Sequence, residues 1–406
     1  MLTTDRIRAL AADLTDYTVQ CRRTVHAFAE LGGEEHQTAA FIRAQLDAAG
    51  LPWQPVGQTG TLAILDTGRP GPGLALRADI DALPVPQHPE NLAGTRVCRS
   101  SNPANSHACG HDAHTAMLLA AAKALAAERD SLCGRVYFCF EAGEENGIGA
   151  RPMLAALAEY SIDACWAIHV YAGLESGKIC LADGPRMAGA AGVDITVKGK
   201  GGHGSRPDLS ANPVFCAAAI LTNTATAWVN QIPAGQTVTL GVTSIQGGQT
   251  VNVIPETTHI IGSLRFFEQS AGEKGVEVFK TVAQHTAAMN GCTVEFGPRF
   301  NVVCGPVQNH PACAALARQA AAAVLPAGAI APCEPWYASE SYSRYCRVYP
   351  CVMAHLGIVN PEYGSGAGHH NEQFDVDEGV LPLGVAATLA YANAVLQGGL
   401  AHLVQD

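Results

Sequence analysis

Within eight residues, His107-Ala108-Cys109-Gly110-His111-Asp112-Ala113-His114 carries a thiol, three imidazoles and a carboxylate. Cys109 and His111 are two positions apart, so an extended or tightly turned backbone can aim both at one point. Soft sulfur beside borderline nitrogen suits zinc and its late first-row neighbours. A structural zinc knot would bring a second Cys/His pair at short spacing. Here the downstream candidates are carboxylates and single histidines, which favours a catalytic site with mixed ligands and an open position.

Three further segments carry groups of the same kind. Glu141-Ala142-Gly143-Glu144-Glu145 follows an apolar run read as a strand, Val136–Phe140. Neighbouring carboxylates at a strand end point in different directions, so one can bind metal while the other faces substrate as a general base. A solvated acidic turn is the plain alternative. His169 closes the next apolar run, Ala164–His169, where a core histidine is the alternative. Gly366-Ala367-Gly368-His369-His370 reads as a tight loop with two imidazoles, or as ordinary surface. The ends of strands in an open α/β sheet are where ligands bind, and that common position argues for function.

The elements that must hold these groups alternate. Residues 5–50 read as two helices, followed by strands at Thr61–Leu65 and Leu74–Arg77 and a helix at Thr115–Ala127. The predicted fold is α/β: a catalytic domain with a mixed, mainly parallel sheet and flanking helices. Between Gly192 and Pro298 the order becomes βαββαβ, a pattern of an α+β ferredoxin-like domain. The expected boundaries are 1–186 and 304–406 for the catalytic domain and 187–303 for the inserted one.

Composition excludes several classes. The 406 residues are 48% hydrophobic and 15% charged, which is globular and not disordered. A net charge of −11 offers no basic face for nucleic acid. No apolar run is long enough to suggest a membrane partner. The opening Met1–Asp5 leads into an amphipathic helical pattern without a basic-then-apolar leader, and 14 cysteines lack a framework spacing. A reducing, cytoplasmic location is the expectation.

Taken together these motifs resemble the M20 family of metal-dependent peptidases and amidohydrolases. The similarity is nearest to its hippurate, indole-acetyl-amino-acid and aminobenzoyl-glutamate hydrolases. The carrying segments are Leu76–Pro84, His107–His114, Glu144-Glu145, His169-Val170, Gly201–Pro207, Asn252–Pro255, His369-His370 and Phe374–Glu378, in the family's order over nearly the whole chain.

The resemblance implies a centre of two divalent ions (zinc, manganese, cobalt or nickel) held by Cys109, His111, Glu145, His169 and His370. By the same resemblance His370 is preferred to His369, because it precedes Phe374 by four residues, as the family's ligand does. Glu144 falls on the catalytic base, and His203 on a histidine that reaches the substrate carbonyl. Asn252, Arg206 and Arg265 are candidates for a substrate carboxylate, with a strand-end salt bridge as the alternative for Arg265. Asp79 and Asp112 are expected behind the ligands. The inserted domain is expected to act as a lid and to dimerise.

The implied reaction is hydrolysis of an N-acyl amino acid or a similar small amide. A dipeptidase, a deacetylase, a non-catalytic ligand-binding relative and a zinc-stabilised structural protein are the alternatives. Two segments depart from the family pattern: Glu141-Ala142-Gly143 stands for the usual Gln-Pro-Ala, and Ala338-Ser339-Glu340-Ser341 for a Gly-Ser-Glu-Asp-like wall.

Overall fold

The computed structural model describes residues 2–401. By internal contacts they form two compact units. The first is 2–186, Gln308–Glu334 and 344–401; the second is Met187–Val307 with Pro335–Ser343.

The first unit is built on a seven-stranded sheet. Its order is Trp53–Val56, Gly60–Asp66, Arg135–Glu141, Gly73–Asp79, Ala164–Glu175, Cys351–Val359 and Ile179–Cys180. The four strands from Arg135–Glu141 to Cys351–Val359 are parallel, and antiparallel strands flank them on both sides. Three of the parallel strands are buried along nearly their whole length, and Ala164–Glu175 is buried as far as Val170, which explains why they read as apolar runs without alternation.

Two helices are apolar on almost every face and lie within the core, His111–Ala127 and Leu381–Leu396. With the turn before it, the second is long and apolar enough to cross a membrane (Glu378–Leu396), yet 78% of that stretch's most apolar window is buried inside the fold, as in a core helix.

Three boundaries differ from the sequence reading for physical reasons. The N-terminal region makes three helices, Thr4–Asp13, Thr15–Phe28 and His36–Ala48. Helix His111–Ala127 begins four residues before the expected Thr115, directly after Gly110, whose φ of 90° is left-handed. Strand Ala164–Glu175 runs on past His169 because Val359 pairs with Glu175 beyond it.

The second unit has its own core and an antiparallel sheet ordered Val238–Gln246, Thr257–Phe266, Gly189–Lys198, Thr293–Phe296. Helices Pro213–Gln231 and Gln269–Met289 complete a βαββαβ unit. Strand Val302–Cys304 pairs with Gly189–Lys198. Pro335–Ser343, which the sequence reading leaves with the catalytic domain, packs here: Ala188 N–H donates to Trp336 O at 2.9 Å, and Tyr337 meets Phe267 edge-on.

Candidate metal centre

The centre is assembled at the C-terminal ends of the parallel strands. Asp79 ends Gly73–Asp79, Glu141 ends Arg135–Glu141, and His169 stands midway along Ala164–Glu175. Cys109 and His111 arrive on the turn that starts the central helix. Gly110 between them is required twice over: its φ is left-handed, and a Cβ there would lie 2.2 Å from Val170 Cγ2.

Hydrogen bonds fix which nitrogen of each ring is available. His111 Nδ1 is held by Asp81 Oδ1 at 3.2 Å. That leaves His111 Nε2 buried with no hydrogen-bond partner, 3.7 Å from Asp79 Oδ2 and 3.8 Å from Glu145 Oε1. His169 Nδ1 donates to the Val170 carbonyl at 2.6 Å, and its Nε2 lies 3.7 Å from Cys109 Sγ. His114 is different. Its Nε2 accepts from Val170 N–H at 2.9 Å and its Nδ1 donates to Asp79 Oδ1 at 2.6 Å, so both nitrogens are engaged.

His369 and His370 separate in the same way. His369 Nε2 accepts from Ala172 N–H at 3.1 Å, and its Nδ1 is 3.8 Å from Cys109 Sγ. His370 turns its Nε2 to within 3.3 Å of Glu145 Oε1. It does so from a left-handed backbone, φ 62°, one of two such non-glycine residues among those described.

The ligand atoms of Cys109, His111 and Glu145 all lie within 4.8 Å of one another. Neighbouring ligands around a zinc ion stand roughly 3.3–3.8 Å apart, given bonds of about 2.0–2.3 Å. Cys109 Sγ to His169 Nε2 and His370 Nε2 to Glu145 Oε1 fall in or at the edge of that range. The donor set also calls for positive charge. Burial alone would lower His111, but Asp79, with Asp81 and Cys109, outweighs it and holds the imidazole well above its ordinary range. Burial pushes the Cys109 thiol well up. Both protons are ones that a cation would displace. The residues therefore fit a metal group.

The supporting shell comes mostly from residues that sequence reading left unassigned. Asp81 holds His111 with one oxygen and accepts Glu145 N–H with the other at 3.0 Å. Asp79 and Asp81 alternate at the end of a strand, and that period-two spacing could have flagged Asp81. Glu35 accepts Gly143 N–H at 2.7 Å and so anchors the turn that presents Glu144 and Glu145. Glu141 is clamped by Arg77 Nε and Nη2 at 3.2 and 3.1 Å and accepts Tyr345 Oη–H at 2.5 Å. The same Arg77 donates from Nη1 to Asp79 at 2.7 Å.

Asp112 faces another way. Its hydrogen bonds run to Arg22 Nε at 2.9 Å and His26 Nδ1 at 2.7 Å, so it ties the central helix to Thr15–Phe28 instead of touching a candidate ligand. Arg22, itself buried, also reaches Asp375 and Glu378.

Four sequence-predicted residues belong to the second unit. His203 and Asn252 are exposed, and His203 Nδ1 accepts from Ser205 N–H at 3.2 Å. Arg206 is exposed and its fork is occupied by Asp208. Arg265 donates to Ser339 Oγ at 2.9 Å, on the segment whose sequence departs from the family pattern.

Comparison with known proteins gives the chain a family and relatives. Residues 75–394 match the profile of peptidase family M20/M25/M40. An IAA-amino acid hydrolase, ILR1-like 4, of Arabidopsis thaliana is 30% identical over 95% of this chain and 87% of its own length. An N-acyl-L-amino acid amidohydrolase of Geobacillus stearothermophilus is 32% identical over 76% of this chain and 82% of its own. Among solved structures, the Bacillus subtilis YXEP protein, described as a dinuclear metal-binding peptidase of the M20 family, superposes with a TM-score of 0.81. It is 27% identical, covering 95% of this chain and 99% of its own.

Proposed function

The chain belongs to peptidase family M20/M25/M40 and is a hydrolase of amide bonds, and from that premise we propose that it cleaves N-acyl amino acids at a centre of two divalent ions. The observation that carries this is the convergence of Cys109, His111 and Glu145 on one point, with His111 Nε2 buried and unpartnered beside them.

Cys109, His111, Glu145, His169 and His370 would hold the ions. When bound, the ions supply Lewis acidity for the amide carbonyl and make a water easier to deprotonate. Glu144 sits on the same turn as Glu145 and is partly exposed, so its carboxylate can accept a proton from the attacking water. The same carboxyl then returns that proton to the leaving amine. His203 suits the carbonyl oxygen: its Nδ1 is an acceptor, which leaves Nε2–H as a donor for developing negative charge.

The proposal includes a homodimer through the second unit. Helix Pro213–Gln231 exposes Phe215 and Val229, at 74% and 84%, and Val238–Gln246 is an edge strand. Fourteen cysteines, all free, support a reducing compartment.

The test is amine release from acetyl-, benzoyl- and indole-acetyl-amino acids and from dipeptides, on chelated protein with each metal restored. Glu144→Gln should lower kcat by about 10²–10⁴-fold with metal content unchanged. Near-normal turnover in that variant would remove Glu144 from the role of base.

A further inference from the structure

Beyond the metal centre, the same sheet face carries a second polar cluster. His355 is the register partner of His169 on the neighbouring strand, and Cys180, on the edge strand Ile179–Cys180, is the register partner of His355. Register partners project from one face of a sheet, so His169, His355 and Cys180 form a row with steps of about 4.8 Å. Tyr171, two residues past His169, leans over this row. Its ring centroid is 5.2 Å from His355 and 6.3 Å from His369.

Cys333 Sγ lies 3.6 Å from His355 Nδ1, and beside Cys333 stands Arg186, on strand Gly184–Met187 outside that sheet and 3% exposed. Its Nη2 donates to the Cys333 carbonyl at 2.8 Å and lies 3.6 Å from Cys333 Sγ. Its Nε is enclosed without a hydrogen-bond partner, and among the described residues no carboxylate pairs with it. A guanidinium offers five N–H donors in a rigid fork that matches a carboxylate. Burying that charge without a counter-charge costs several kcal/mol.

The neighbours supply little compensation. Burial above all, with Arg186 adding to it, lowers His355 to about 3, so it is neutral near pH 7. Cys180 is drawn down to about 6, chiefly by its hydrogen bond with Cys333, with the Ala182 backbone and Arg186 adding to it. A thiolate there would oppose only part of the guanidinium charge and would leave Nε unpaired.

We propose that Arg186, beside the end of the row that runs from His169 through His355 to Cys180, forms a carboxylate-binding subsite, and that this subsite receives a carboxylate of the substrate. The inference rests on the N-acyl amino acid reading only for its choice of substrates. Both the α-carboxylate and a distal acidic group share this chemistry.

Three substrates separate the two sources on metal-loaded enzyme: N-acetyl-methionine, its amide, which lacks the α-carboxylate, and N-acetyl-glutamate. Arg186→Met should lower kcat/KM by about 10–100-fold through KM wherever the met carboxylate is present. A fall on both acids but not the amide identifies the α-carboxylate; a fall on N-acetyl-glutamate alone identifies a distal one. Arg186→Lys should recover part of the loss and guards against misfolding of the Met variant.

An equal change on all three substrates, or none, overturns the subsite. So does unchanged selectivity joined to a rise in the alkylation pKa of Cys180, which would assign Arg186 to the thiolate. If the wild type turns over none of the three, the reaction reading fails by itself. Calorimetric binding of glutarate then judges Arg186: binding lost in Arg186→Met supports the subsite, and no binding to the wild type overturns it.

Discussion

Glu141 shows how one unusual residue can be wired to the centre without touching it. Arg77 divides its fork between Glu141 and Asp79, and Asp79 faces His111 and His114. Glutamate in place of the family's glutamine adds a buried negative charge that balances Arg77. Glu141→Gln keeps the shape and an acceptor but removes that charge. The net charge beside the centre becomes more positive, so divalent ions should bind more weakly, and unfolding should be easier by about 1–3 kcal/mol. Chelator competition and urea unfolding read the two effects separately. Tyr345→Phe, which deletes only the hydrogen bond at 2.5 Å, should cost stability and leave metal affinity near normal. Unchanged metal affinity in Glu141→Gln would reduce Glu141 to a structural role.

The turn from Ala108 to His111 is where element geometry decides ligand geometry. The pairing of Cys109 with His111 was legible from their spacing, but the start of the helix was not. Its first turn is His111-Asp112-Ala113-His114, which looks like a loop by composition and is helical because every one of those side chains is buried against a partner. Gly110→Ala would force an L-residue to φ 90° and push a Cβ into Val170. We expect a loss of about 1–3 kcal/mol and less than full metal occupancy, measured by elemental analysis of the purified variant. Gly147→Ala is the control. Its φ of 74° is also left-handed, but no atom lies within 4 Å of the added Cβ, so it should keep its metal. Glu35 is illegible in the sequence for a related reason. Glu35 meets its partner Gly143 from 108 positions away, and local pattern carries no trace of such a contact.

Across the whole molecule, burial of ionisable groups sets how stability responds to pH. Asp112 and Asp375 are held below the usual carboxylate range; burial opposes this, but Arg22 outweighs it. A carboxylate of depressed pKa contributes stability above its unfolded value near 4 and loses it only as pH falls further. Buried histidines act earlier. Burial lowers both His107 and His355 to about 3, against about 6.5 in the unfolded chain. Between those values the unfolded state takes up a proton that the folded state refuses, so stability falls as pH drops from about 6.5 towards 3. Each such histidine contributes a slope of about 1.4 kcal/mol per pH unit in that window. The metal-free protein should therefore lose urea resistance between pH 6.5 and 4.5, before the carboxylates matter. His355→Phe should lower that slope by about 1.4 kcal/mol per pH unit, whatever it does to stability at pH 7, because the slope counts protons and not contacts. An unchanged slope would mean that His355 takes up its proton in the folded state as readily as in the unfolded one, and the cluster from His169 to Arg186 would then carry a second positive charge in mild acid.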